Sequence, residues 1–169
     1  LGIDLHINVN LSIVQLLAHN VVEVITDIIE RTGVKTDNLV LEVTESLAIN
    51  DMERMKNILG RIKALGVRIA LDDLGTSYSS LNHIREMPLD VIKMDQTFVQ
   101  DLDKDTYSQA FIKMVAELAQ TIGVYVCVEG IERKEQMEVI EGMKVRMIQG
   151  FYFGKPMSRK DFDEKFTPR

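Results

Sequence analysis

This sequence predicts an α/β fold of the parallel-barrel type, and three observations carry that reading. Hydrophobic runs of period 2 alternate strictly with stretches of period 3.6. The connections between them are short, and parallel neighbours need a crossover helix. Each strand-like run ends in a polar or charged residue, and no glycine-rich phosphate loop follows the first strand. An open nucleotide-binding sheet would carry such a loop, whereas functional groups at the C-terminal end of every strand are what a barrel face presents. About six strand–helix units are present where a closed (β/α)8 barrel has eight, so the barrel is expected to be incomplete in this chain.

The elements follow in order. Leu5 to Asn10 reads as the first strand, and Ser12, a good N-cap, opens a helix expected to run to Thr32 with Gly33 ending it. Leu39 to Thr44 is the second strand. A helix from about Asp51 to Leu65 closes at Gly66, and Val67 to Asp72 is the third strand. A shorter helix follows Ser80 and stops by Met87, because the residue before Pro88 is pushed out of helical geometry. Asp90 to Asp95 is the fourth strand, followed by a helix from about Tyr107 to Ile122 that ends at Gly123. Val124 to Glu129 is the fifth strand, Lys134 to Glu141 a helix closed by Gly142, and Val145 to Gln149 the sixth strand. A last short helix starts at Ser158.

Composition narrows the function. The chain has 169 residues, 46% of them hydrophobic, and one Cys, which excludes a disulfide framework and a Cys-based zinc cluster. A net charge of −6 argues against a nucleic-acid duplex as partner. No apolar run approaches the roughly 18 residues needed to span a bilayer, and no signal peptide is visible. The expectation is a cytoplasmic domain whose parent protein could be membrane-tethered. The first residue is Leu1 and lies almost on a strand, so the chain is read as 1–169 of a domain truncated at its N-terminus.

Period-2 arithmetic sorts the strand side chains. Asn8 and Asn10 share one face, as do Glu42 and Thr44, Ala70 and Asp72, Lys93 and Asp95, and Cys127 and Glu129. Aliphatic residues take the other face, toward the helices. The polar sets therefore converge on one interior. Carboxylates crowded there repel one another, and bound cations would keep them ionised. The donors Asn10, Glu42, Asp72, Asp73 and Asp95, with Glu129 nearby, offer only oxygen, which selects Mg²⁺, Mn²⁺ or Ca²⁺ over zinc. Adjacent Asp72 and Asp73 suit a pair of ions about 3.5–4 Å apart, an arrangement that serves phosphoryl displacement. Lys93 is the one obvious cation on this face; it could hold a phosphate or orient a water.

These residues fall within motifs that resemble the EAL family of cyclic di-GMP phosphodiesterases across essentially the whole chain. The matching pieces are NVNLS at 8–12, LEVTES at 41–46, ALDDLGTSYSS at 70–80, PLDVIKMDQTFV at 88–99, VEGIE at 128–132 and QGFYFGKP at 149–156. The resemblance implies a TIM-like (β/α)8 barrel and opening of cyclic di-GMP to linear pGpG with two Mg²⁺ or Mn²⁺ ions. It implies metal-ligand roles for Asn10, Glu42, Asp72 and Asp73, with Asp95 in the second-metal environment. Lys93 and Glu129 would position or deprotonate the attacking water, with the base left open between them. Glu45 would hold the loop after the Asp–Asp pair, Gln149 would lie beside metals and substrate, and Gly150, Phe151 and Pro156 would wall the nucleotide. The loop 72–80 and the following helix resemble a homodimer surface, and upstream sensory or GGDEF-type domains are a family pattern. The chain departs from the commonest loop form at Leu74 and Ser77, and the Glu-Ala-Leu segment that supplies a further ligand is not within it. The isolated chain is therefore expected to be weakly active or inactive, and a non-catalytic cyclic di-GMP receptor or scaffold is the alternative.

The remaining singles read as structure. His6, His19 and His83 share no metal-ligand spacing, though His6 can point into the barrel. Cys127 sits mid-strand between valines as a core residue, and the nine Met fill gaps beneath helices. Gly75 with Thr76 and Ser77 reads equally as a phosphate cradle or a plain turn. Lys155, Arg159 and Lys160 read as a solvated helix start.

Overall fold

In the computed structural model, residues 5–44, 52–75 and 81–166 are described. Six strands form one sheet: β1 (Ile7–Asn10), β2 (Leu39–Thr44), β3 (Arg68–Leu74), β4 (Val91–Met94), β5 (Tyr125–Val128) and β6 (Met147–Ile148). All neighbours are parallel and the spatial order is β1-β2-β3-β4-β5-β6, which is the connectivity of a barrel wall and not of a doubly wound sheet. The helices are α1 (Ile13–Leu16), α2 (Val21–Thr32), α3 (Met52–Lys63), α4 (Leu81–Glu86), α5 (Thr106–Ile122), α6 (Lys134–Glu141) and α7 (Arg159–Phe166). The wall is incomplete, as expected.

The alternation of faces is seen in β2 to β5, whereas β1 at the sheet edge is exposed along its length. Leu41, Val43, Ile69, Leu71, Ile92, Met94, Val126 and Val128 are all buried in the main core, which lies between the sheet and its helices. A second, smaller cluster of Val40, Ala70, Val91 and Cys127, with Met147 against it, lines the concave interior. Burying the first set supplies most of the driving force, because each fully buried aliphatic side chain is worth about 1.5–3 kcal/mol. The second set forms a floor beneath the polar residues.

Two expectations need correction. The helix expected from Ser12 to Thr32 is two helices with a break at Leu17–Asn20. Five residues separate Leu16 from Val21, and on one straight helix that rotation would set them about 140° apart. The break lets both be buried. Ser12 does cap the first piece, in a capping box with Gln15. The fourth strand is shorter than Asp90–Asp95 because its terminal acids bind backbone instead. Asp90 accepts from the Ile69 amide at 2.9 Å and from Lys63 at 2.8 Å. Asp95 opens a single 3-10 turn, Gln96–Phe98. The helix stops at Gly33 and Gly123 and the Ser158 start fall where the pattern puts them, and α5 is capped by Asp105, which accepts from the Tyr107 amide.

Candidate functional site

The site lies where the C-terminal ends of four consecutive strands meet. Glu42 comes from β2, Asp72 from β3, Lys93 from β4, and Glu129 follows β5. Lys93 Nζ lies 2.8 Å from Glu42 Oε1, 3.0 Å from Asp72 Oδ1 and 2.9 Å from Glu129 Oε1. An ammonium has three protons, so three carboxylates use all of them. The side chain is 6% exposed. Burial alone would lower its pKa, but the hydrogen bonds to Glu42, Glu129 and Asp72 outweigh that and hold it above the ordinary lysine range. It stays charged at neutral pH and has no lone pair to accept a proton.

Asp73 completes the acidic centre. It follows Asp72 where β3 loses register with β4, between Leu71 and Leu74. Its φ of 59° is in the left-handed region, the only such value at a non-glycine among the described residues. Its amide donates to Asp72 Oδ1 at 3.1 Å. This turn swings the Asp73 carboxylate to the same side as Asp72, and oxygens of Asp72, Asp73 and Glu129 lie within 4.8 Å of one another. Burial, with Asp72 and Asp95 nearby, pushes the Asp73 carboxyl up. Burial also raises Glu129, and Lys93 only partly offsets it.

This donor set fits a hard divalent cation. Every converging ligand atom is a carboxylate oxygen, and the two raised carboxyls are groups that a cation would return to the ionised form. Lys93 already shows that the centre accepts positive charge.

The sequence expectations divide accordingly. The structure brings together Glu42, Asp72, Asp73, Lys93 and Glu129. Asp95 lines a cleft with Asp73, Gln96, Glu129, Glu132, Gln149, Gly150 and Phe151, but its carboxylate accepts from the Thr97 amide at 2.8 Å. Gln149 borders both that cleft and the interior concavity of about 390 Å³. Asn10 stands beside Glu42 in the sheet register, exposed at the edge strand. Pro156 lines a hollow with Phe162 and Phe166 that adjoins the acidic cleft through Gln149, Gly150 and Phe151, which border both. Glu45 and residues 76–80 of the expected dimer loop lie outside the described residues.

One participant was not singled out from the sequence. Asn8 Nδ2 donates to Glu42 Oε1 at 2.6 Å and so orients that carboxylate toward Lys93. Its signal was its period-2 position, two residues before Asn10 on the same face. The singles resolve as structure. His6 lines the interior concavity, and Cys127 is buried there with its thiol pushed up to about 12 by burial, which leaves it inert. Arg159 and Lys160 form i,i+4 pairs with Asp163 and Glu164, while Lys155 lies 5.5 Å from the Phe151 ring centre.

Comparison with known proteins bears on this geometry. The family model described as the EAL domain matches residues 2–156. The bifunctional diguanylate cyclase/cyclic di-GMP phosphodiesterase MucR of Pseudomonas aeruginosa is 34% identical over 154 residues, covering 91% of this chain and 22% of MucR. The cyclic di-GMP phosphodiesterase PdeR of Escherichia coli is 32% identical over 162 residues, covering 96% and 24%. The chain thus spans a quarter or less of the length of these relatives. Among solved structures, a MucR phosphodiesterase complex with cyclic di-GMP superposes with a TM-score of 0.87 at 32% identity, covering 93% of this chain and 64% of that one. The Klebsiella pneumoniae BlrP1 complex with manganese and cyclic di-GMP superposes with a TM-score of 0.83 at 28% identity, covering 89% and 39%.

Proposed function

The chain belongs to the EAL domain family, and from that premise we propose that it is the catalytic portion of a divalent-metal-dependent phosphodiesterase that opens cyclic di-GMP to linear pGpG. The observation that carries the reading is the gathering of Glu42, Asp72 and Glu129 on Lys93 at the strand ends, with Asp73 completing a carboxylate cluster with Asp72 and Glu129.

Asp72, Asp73 and Glu42 are the residues that would hold Mg²⁺ or Mn²⁺, with Asn10 and Asp95 at the margin. When bound, such ions lower the pKa of a water and neutralise charge on a phosphoryl oxygen. The protein's own groups do the rest. Glu129 is the group suited to take the proton from the attacking water, since it is an acceptor and its raised pKa brings it closer to the operating pH. Lys93 orients Glu129 and, bonded also to Glu42 and Asp72, holds the three carboxylates in place. Gln149, Gly150 and Phe151 border the same cleft and are placed to meet the nucleotide.

The test is chromatographic detection of pGpG from cyclic di-GMP by the protein carrying this domain. Turnover should require Mg²⁺ or Mn²⁺, stop with EDTA and return on adding back metal. Binding without turnover would reject the enzyme in favour of a receptor.

A pH dependence follows from the raised carboxyls. Asp73 and Glu129 take up protons at a higher pH than free carboxyls do. Mn²⁺ must displace those protons, so its affinity should fall on acidification sooner than at an ordinary carboxylate site. The sign for the metal-free fold is opposite. The native state binds more protons than the unfolded chain in this range, so these two groups favour folding as pH falls. Calorimetric titration of Mn²⁺ between pH 8 and pH 5, with thermal melts of the metal-free protein, checks both directions. A flat affinity across that range would contradict the assignment.

A further inference from the structure

The site is assembled from segments that follow different strands, so something must set the distance between them. Asp72 and Asp73 end β3, and Glu129 follows β5; β4 and its continuation separate them. That continuation is the turn Gln96–Phe98, held at its start by Asp95 through the Thr97 amide.

The turn touches both flanks where only glycine fits. Gly75, two residues after Asp73, has φ +98°, and a methyl group built on it would lie 2.5 Å from Cε2 and 2.6 Å from Cζ of Phe98. Gly130, directly after Glu129, has φ +76°, and a methyl there would lie 2.5 Å from Cβ of Gln96. Side chains rarely adopt either backbone geometry, and neither position has space for one. The Phe98 ring is backed in turn by Phe111 of α5, stacked at 4.7 Å between centroids, and Tyr107 stacks on Phe111 at 6.2 Å. A column of rings on a long helix therefore braces the turn from behind.

We propose that the Gln96–Phe98 turn is a spacer that sets the separation of the Asp72–Asp73 pair from Glu129, making Phe98 a positioning residue for divalent-cation binding. The inference rests on the reading of these acids as a cation site. Phe98 is not among the residues that line the acidic cleft. It acts through Gly75, two residues after Asp73, while Gln96 fixes the other flank through Gly130. Ordinary packing would make Phe98 matter for stability alone. A spacer makes it matter for affinity, and makes its effect depend on what stands at position 75.

A double-mutant cycle separates these. Mn²⁺ affinity would be measured without substrate, by electron paramagnetic resonance of free Mn²⁺, on the parent protein, Gly75→Ala, Phe98→Leu and the double variant, with Asp72→Asn as the control that lacks a ligand. Each single change should weaken Mn²⁺ by about 10–100-fold, the range for residues that orient ligands. The double variant should recover the part of that loss that comes from the clash with the ring, while the strain of a side chain at φ +98° remains. Thermal melts identify which variants remain folded, and Phe98→Leu keeps an apolar side chain so that at least one does. Additive losses, or singles that bind like the parent, would overturn the spacer while leaving the cation site intact. A parent that binds no better than Asp72→Asn would overturn the cation site and the spacer together.

Discussion

Replacing Lys93 with Met should destabilise the metal-free protein by about 3–5 kcal/mol, the usual cost of removing one partner from a buried ionic cluster. Met matches the stem of Lys in shape, so the loss is of charge and not of packing. Glu42, Asp72 and Glu129 would then face one another in a nearly closed site, each having lost a hydrogen bond of 3.0 Å or less. Two features separate this from a generic core defect. Acidification should return part of the stability, because protonating the carboxyls removes their repulsion. Millimolar Mn²⁺ should also return it, since a cation bound only by the folded state stabilises in proportion to the logarithm of its concentration over its dissociation constant. Melting curves of parent and variant, with and without Mn²⁺ and at two pH values, measure all of this. A variant as stable as the parent, or one indifferent to Mn²⁺, would remove Lys93 from the role of internal counter-ion.

The second large effect is catalytic. Glu129→Gln should lower cyclic di-GMP turnover by about 10²–10⁴-fold, the range for a positioned acid or base. Gln keeps the shape and can still accept from Lys93, but it cannot take a proton. Asp72 and Glu42 retain their pairs with Lys93, so the fold should melt within a few degrees of the parent. The loss should appear in kcat with little change in KM, since no substrate contact is removed. Asp72→Asn should instead lose both turnover and Mn²⁺ affinity. Turnover near the parental rate in Glu129→Gln would pass the base role to another group.

Much of this was legible in the sequence because strand parity is a strict rule. Once Leu41, Ile69, Ile92 and Val126 are assigned to the helix layer, Glu42, Ala70, Lys93 and Cys127 have only the interior left, and the structure places them there. What parity cannot give is distance along and between strands. It put Asn8 and Asn10 on one face, but which of them reaches Glu42 depends on strand stagger, and it is Asn8. It gave Asp95 an inward direction, but not its preference for the Thr97 amide, because an Asx turn is a local competitor that periodicity does not register. Nor could it choose between Lys93 and Glu129 as proton acceptor. The proposal of Glu129 rests on how many carboxylates surround the ammonium, which is seen only when four strands are assembled. The break after α1 was hidden for a similar reason, since its cause is the joint burial of Leu16 and Val21 in one core.

The sheet order has a consequence for how the protein is made. Each strand pairs with the one before it in the chain, so strand–helix units can dock one after another as they leave the ribosome, without waiting for a distant partner. The charges do not arrive so evenly. β2 brings Glu42 and β3 brings Asp72, and the compensating ammonium comes only with β4. A nascent chain halted after β3 would thus hold two facing acids with no internal cation. Released chains ending just before residue 91 and just after residue 94 should differ sharply in protease resistance, although they differ by a single short strand.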